Sequence, residues 1–160
     1  MAAPRGGQAG AGEETVSWRV LVVDWDPKAG EALRARLEGR GMVARVVADA
    51  EAALAALEAD PADVVLTEAC LPSRRSGLWL LAEIRRRWGH GIPVILHTAW
   101  FPDSEQLPWY RAADAVLIKP ADDDVLAACI AGVLLCKRAS DPAARSPEPT
   151  PAAPGTAEAP

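Results

Sequence analysis

The chain has 160 residues, half of them hydrophobic, and a formal net charge of −5 at neutral pH. That length supports one full core and hardly two, and the acidic balance argues against a general nucleic-acid binder, which needs a basic face. The start carries no basic segment followed by an apolar run, and later apolar stretches are strand-sized or broken by charge, so neither a signal peptide nor a membrane span is expected and a cytoplasmic location is. In chain order, residues 1–15 come first, rich in Gly, Ala and Glu and without apolar periodicity to offset the entropy of ordering them; disorder is expected there. The first strand follows from Arg19 to Val23. Asp26 is placed to cap a helix with Pro27 in its first turn, Leu33 and Leu37 on its apolar stripe, and Gly39 and Gly41 at its exit. A second strand, Ala44 to Val47, leads to an alanine-rich helix from a cap at Asp49 to Pro61, with Leu54 and Leu57 facing inward.

The third strand spans Asp63 to Thr67, and its helix runs from Gly77 to Gly89 with Leu78, Leu81 and Ile84 inward. Arg74, Arg75 and the run Arg85-Arg86-Arg87 are the basic clusters, the latter read as a solvated helix face. Val94 to His97 forms the fourth strand. The fourth helix, over Asp103 to Leu107 and bracketed by Pro102 and Pro108, is expected to be short, bent or displaced, because proline removes a helical donor and clashes with the preceding turn. The last strand, Ala115 to Ile118, precedes a helix from Asp122 to about Cys136 with Val125, Leu126, Cys129, Ile130, Val133 and Leu134 at helical spacing. Cys70, Cys129 and Cys136 lack the spacing of a zinc site and read as reduced thiols. Residues 138–160, rich in Pro and Ala, are expected to be disordered, which leaves one domain over 16–137.

Short apolar runs alternating with amphipathic stretches indicate an α/β fold, a five-stranded parallel sheet with helices on both faces. Right-handed crossovers favour the flavodoxin-like order 2-1-3-4-5, whose ligand crevice lies at the carboxyl ends of the first and third strands. Asp24, Trp25, Asp26 and Glu68 fall at that crevice.

Four motifs then stand in register: Val22-Val23-Asp24, the third strand's end followed by Leu71-Pro72, Thr98-Ala99 after Pro93-Val94-Ile95, and Lys119-Pro120 after Ala113-Asp114. With them, the region from Trp18 to Cys136 resembles the receiver domain of bacterial two-component response regulators. The resemblance implies an aspartate that accepts phosphate from a histidine kinase, with Mg²⁺ held by an acid pair, that aspartate and a backbone carbonyl. By the same resemblance, Asp24 is the first acid of the pair, Trp25 replaces the second, and Asp26 occupies a third, often acidic, position. Glu68 replaces the phosphate acceptor and Cys70 supplies the carbonyl. Thr98 and Lys119 are the phosphate contacts, and Val116 stands where an aromatic switch residue usually lies.

Two departures at one site point to a dismantled chemistry. Glu68 is a methylene longer than aspartate, the metal has lost a ligand, and Mg²⁺ demands near-ideal octahedral oxygen geometry. No metal and no catalysis are therefore expected. A buried Asp24 and Glu68 pair without metal needs a cation, and Lys119 is the candidate. Trp25 is expected to plug the crevice. Asp26 reads as a helix cap or as a substitute ligand, and His97, opposite in parity to Thr98, as a satisfied structural histidine. Trp100, Phe101, Trp109 and Tyr110 gather around the fourth helix, where receivers commonly meet partners; they read equally as interface anchors or core filler. The expected function is a degenerate receiver, a phosphorylation-independent interaction module for a histidine kinase or downstream effector, with no nucleic-acid or membrane partner and with homodimerisation open. The alternative is a Mg²⁺-dependent phosphoacceptor held by Asp24, Glu68 and the Cys70 carbonyl.

Overall fold

A computed structural model describes residues 17–72, 76–99 and 107–141. Its strands are β1 (Arg19–Val23), β2 (Val43–Val47), β3 (Val64–Thr67), β4 (Val94–Thr98) and β5 (Ala115–Ile118). They alternate with α1 (Pro27–Glu38), α2 (Ala50–Ala59), α3 (Gly77–Trp88), α4 (Leu107–Arg111) and α5 (Asp123–Ser140). All strand pairs are parallel, in the order β2-β1-β3-β4-β5. This is the flavodoxin-like arrangement that the alternating runs indicate.

Strand parity builds two cores. Leu21, Val23, Val65 and Val94 pack with Leu54 and Leu57 of α2 and Leu80, Leu81 and Ile84 of α3. Val20, Val22, Val64, Leu66 and Ile95 point the other way, onto Leu33 and Leu37 of α1 and Leu126, Ile130 and Leu134 of α5. Successive side chains alternate faces, so the part of a strand covered on both sides must be apolar, as Val20 to Val23 of β1 and Val64 to Leu66 of β3 are. Asp26, Asp49 and Ser76 cap α1, α2 and α3 through their side chains, each satisfying a first-turn N–H that has no helical acceptor.

Three details differ from the sequence reading. Leu80 carries the inward position given to Leu78, which is half-buried against Ala69, Leu96 and Tyr110. In α5, Val125 is half exposed, and the helix passes Cys136 to end at Ser140. The guanidinium of Arg138 lies 4.4 Å from the Trp18 ring centroid, so the residues from 138 to 140 have an aromatic surface to hold them and belong to the helix rather than to a tail.

The fourth helix differs most. Pro108 does not end it but occupies its second position, where the missing N–H would have had no helical partner. Pro102 and Asp103 lie outside the described residues. Tyr110, open between interface anchor and core filler in the sequence, is 5% exposed and packs on Ala69 and Leu96, whereas Trp109 is 50% exposed. Neighbouring helix positions are turned by about 100° around the axis, enough for one aromatic of the pair to serve the core while the other meets solvent. Trp100 and Phe101 lie outside the described residues.

Candidate functional site

Each site residue is held by the backbone that ends its strand. The Asp24 amide donates to Val47 O (3.1 Å), the Glu68 amide to Val23 O (3.0 Å) and the Lys119 amide to Thr98 O (2.8 Å), continuing the parallel ladders one residue past β1, β3 and β5. The Lys119–Pro120 peptide is cis. Two glycines permit the close packing around the acids. A Cβ on Gly30 would lie 2.7 Å from Val46 Cγ1, and one on Gly77 would lie 1.8 Å from the Glu68 carbonyl oxygen. The N terminus of α3 is thereby seated on the end of β3, where the Gly77 amide donates to Ala69 O (3.0 Å).

Asp24 and Glu68 are buried at 5% and 8% exposure, and Lys119 stands between them. Its Nζ lies 3.1 Å from Asp24 Oδ2 and 3.0 Å from Glu68 Oε2. The remaining oxygens are also bonded: Asp24 Oδ1 accepts from the Asp26 amide (2.9 Å) and Glu68 Oε1 from the Ala69 amide (2.9 Å). Burial opposes the charge on Lys119, but hydrogen bonds to and attraction by Glu68 and Asp24 more than offset it and raise its pKa above the ordinary lysine value. One lysine thus answers the repulsion between two acids.

The other site positions fall into place around this triad. Thr98, at the end of β4, is fully buried, and Cys70, two residues beyond Glu68, is exposed. The Asp26 carboxylate accepts from the Lys28 amide (2.9 Å) and caps α1. Val116 on β5 is 38% exposed. Trp25 does not plug the crevice; it is 54% exposed. Two buried acids retain a cation between them, and an indole brings no charge and a single N–H donor.

His97 is not the satisfied histidine that the sequence suggests. It is buried, and its Nε2 has no hydrogen-bond partner among the described residues. Burial, with repulsion by Lys119, pushes its pKa down to about 4 against the pull of Glu68. His97 helps to line a groove with Asp24 and Lys119. The signal was available in strand parity: His97 follows Ile95 by two, Asp24 follows Val22 by two, and Glu68 follows Leu66 by two, so all three share the face covered by α1 and α5.

A family model described as the response regulator receiver domain matches residues 20–131. The chain belongs to the response regulator receiver family. Among its relatives, the response regulator protein PmrA of Pseudomonas aeruginosa is 36% identical over 111 residues, covering 69% of this chain and 49% of PmrA. The transcriptional activator protein IrlR of Burkholderia pseudomallei is 30% identical over 117 residues, covering 72% of this chain and 50% of IrlR. This receiver therefore spans about half the length of the curated relatives it matches. Among solved structures, the response regulator TrrA of Thermotoga maritima in complex with Mg²⁺-BeF is 28% identical, with a TM-score of 0.65 over 72% of this chain and 98% of that one. A receiver domain from Clostridium thermocellum, at 23% identity, shares the fold with a TM-score of 0.69 over 78% of this chain and 99% of its own. The receiver fold is a signalling module, and no described helix is long and apolar enough to cross a membrane.

Proposed function

We propose that this receiver is a phosphorylation-independent protein-interaction module of bacterial signal transduction, working in the cytoplasm without catalysis. The observation that carries the reading is the Lys119 ammonium standing between Asp24 and Glu68, with all four carboxylate oxygens already bonded. A Mg²⁺ ion does not fit this donor set. It would share the space with an ammonium, it gains no oxygen from Trp25, and Asp26 is engaged in capping α1. Without the metal, offsetting the repulsion between a carboxylate and an incoming phosphoryl group is left to Lys119, which both acids already engage. Val116 adds to this, since no aromatic at that position can swing inward when Thr98 is engaged.

The partner is a signalling protein, a histidine kinase or a downstream effector, with a second copy of the chain as a further candidate and neither nucleic acid nor membrane involved. Its contact surface is the apolar side formed by Leu107 and Trp109 of α4, Val116 of β5 and Val125 of α5, all exposed. The Mg²⁺-BeF bound by the TrrA relative favours a second reading, in which Glu68 accepts phosphate with Mg²⁺ bound. Intact-mass spectrometry after incubation with acetyl phosphate and Mg²⁺ separates the two. An unchanged mass is expected; a stable gain of one phosphoryl group, lost in Glu68→Gln, overturns the proposal.

A further inference from the structure

A surface helix ordinarily carries charge on its outer side, and α5 does not. Leu126, Ile130 and Leu134 turn inward, yet residues 125–136 contain no Asp, Glu, Lys or Arg. The side turned away from the sheet is therefore apolar as well. Val125 and Leu135 are 50% and 58% exposed, and Ala128 and Gly132, spaced between them on the same side, are exposed too. A helix that is hydrophobic all round is normally covered all round, and no described helix has the length and apolarity to cross a membrane. Gly132 sharpens the point. Glycine is the poorest helix former after proline, and a Cβ on Gly132 would meet nothing within 4 Å, so packing among the described residues gives no reason for it. Close approach from outside does.

We propose that this face is covered by a second copy of the chain, with the two α5 helices antiparallel about a twofold axis near residue 130. Charge selects this occupant. The uncharged stretch is bounded by Asp122, Asp123 and Asp124 at one end and by Lys137 and Arg138 at the other. An antiparallel pair sets the acids of each copy beside the bases of the other, whereas a parallel pair would set like against like. The alignment that brings Asp123 level with Lys137 also brings Val125 level with Leu135 and Ala128 level with Gly132, so the larger side chains meet at the ends and the small ones let the backbones approach at the centre. Acids first and bases last also suit the helix dipole, but the dipole gives no account of the uncharged outer face between them. Asp123 and Asp124 are held only by exposed pairs with Arg36 and Arg40, which are weak and leave the carboxylates able to take a second partner. The contact adjoins the α4 surface at Val125, needs neither Trp109 nor the crevice, and stands whether or not the crevice takes phosphate.

Sedimentation velocity of the full chain between roughly 5 and 500 µM tests the proposal; one helix pair makes a small interface, so a dimer that dissociates at about 10–100 µM is expected. Gly132→Lys occupies open space and favours helix, so circular dichroism should show an intact fold, while like charges on the axis should weaken association by about tenfold or more. Asp124→Lys and Lys137→Glu should each weaken it alone, and an equimolar mixture of the two should recover the parental affinity, because each reversed charge then meets its opposite. These exposed variants keep the test decisive if Gly132→Lys fails to fold. A chain that is monomeric across the whole range overturns the proposal, as does a mixture no tighter than its components. Association kept in Gly132→Lys and lost in Trp109→Ala would move the contact to α4 and overturn it too. Co-sedimentation of a monomeric chain with phosphatidylglycerol vesicles would give the face to a lipid surface instead.

Discussion

At the scale of single residues, Lys119 sets the properties of the site. Removing it leaves two buried carboxylates facing each other, and breaking a buried pair by deleting one partner costs about 3 kcal/mol or more. Lys119→Met is therefore expected to lose roughly that much stability in urea unfolding at pH 7, and the additional Glu68→Gln change should recover a large part of it. Equal stability of Lys119→Met and the parent would mean that the acids need no cation. His97 predicts a dependence on acid. Its pKa is about 4 in the folded chain against 6.5 unfolded, so between those values the unfolded chain binds a proton that the folded one does not. Stability is retained above pH 6.5 and falls as the pH drops toward 4, by roughly 3 kcal/mol in total. Lys119 and Arg36 push in this direction, while Glu68 and Asp24 oppose it. The stability difference between His97→Leu and the parent should accordingly change with pH across that window and be flat above it. Asp24, Glu68 and Lys119 could be read from their strand-end positions. The exposure of Trp25 could not, because nothing local to Asp24-Trp25-Asp26 says whether the indole turns into the crevice or out to solvent.

At the scale of elements, α3 and α4 make the sharpest expectations. Gly77 is required by contact, not by backbone conformation, since a methyl group there would overlap the Glu68 carbonyl. Gly77→Ala should cost about 1–3 kcal/mol, as overpacked sites do, and should move the Glu68 and Ala69 amide resonances more than those of β2. A neutral Gly77→Ala with unmoved resonances would place α3 farther from β3. In α4, the two neighbouring aromatics should separate cleanly. Tyr110→Ala should destabilise the fold by about 3 kcal/mol, whereas Trp109→Ala should leave stability within about 0.5 kcal/mol and weaken partner binding by roughly 2 kcal/mol if it anchors the contact. Thermal unfolding and titration with a captured partner measure the two effects separately. Most elements were legible because apolar runs bounded by cap residues admit few alternatives. The fourth helix was legible as short and displaced but not in its bounds, since a proline can begin a helix or break one, and Pro108 lies in its first turn.

At the scale of the whole molecule, the sheet order brings the ends of β1, β3 and β5 together, and the proposed loss of phosphoryl chemistry rests on that assembly. Glu68→Asp alone should stay unphosphorylated, because shortening the acceptor supplies no ligand to metal; Trp25→Asp alone should bind Mg²⁺ weakly without a well-placed acceptor. The double change should take phosphate from acetyl phosphate, a strongly non-additive outcome readable by intact mass. Phosphorylation of the Glu68→Asp single variant would show that Asp26 or solvent stands in for the missing ligand. The topology and Lys119 as the cation between the acids were readable from the sequence, but the backbone amides that engage the remaining carboxylate oxygens were not. That arrangement bears on descent. Once Asp24 and Glu68 depend on Lys119 for neutralisation, replacing the lysine strands both acids, so it can be lost only if they change with it. A lysine suited to greet phosphate can thereby be held by the demands of folding alone, and its presence is by itself no record of phosphoryl chemistry.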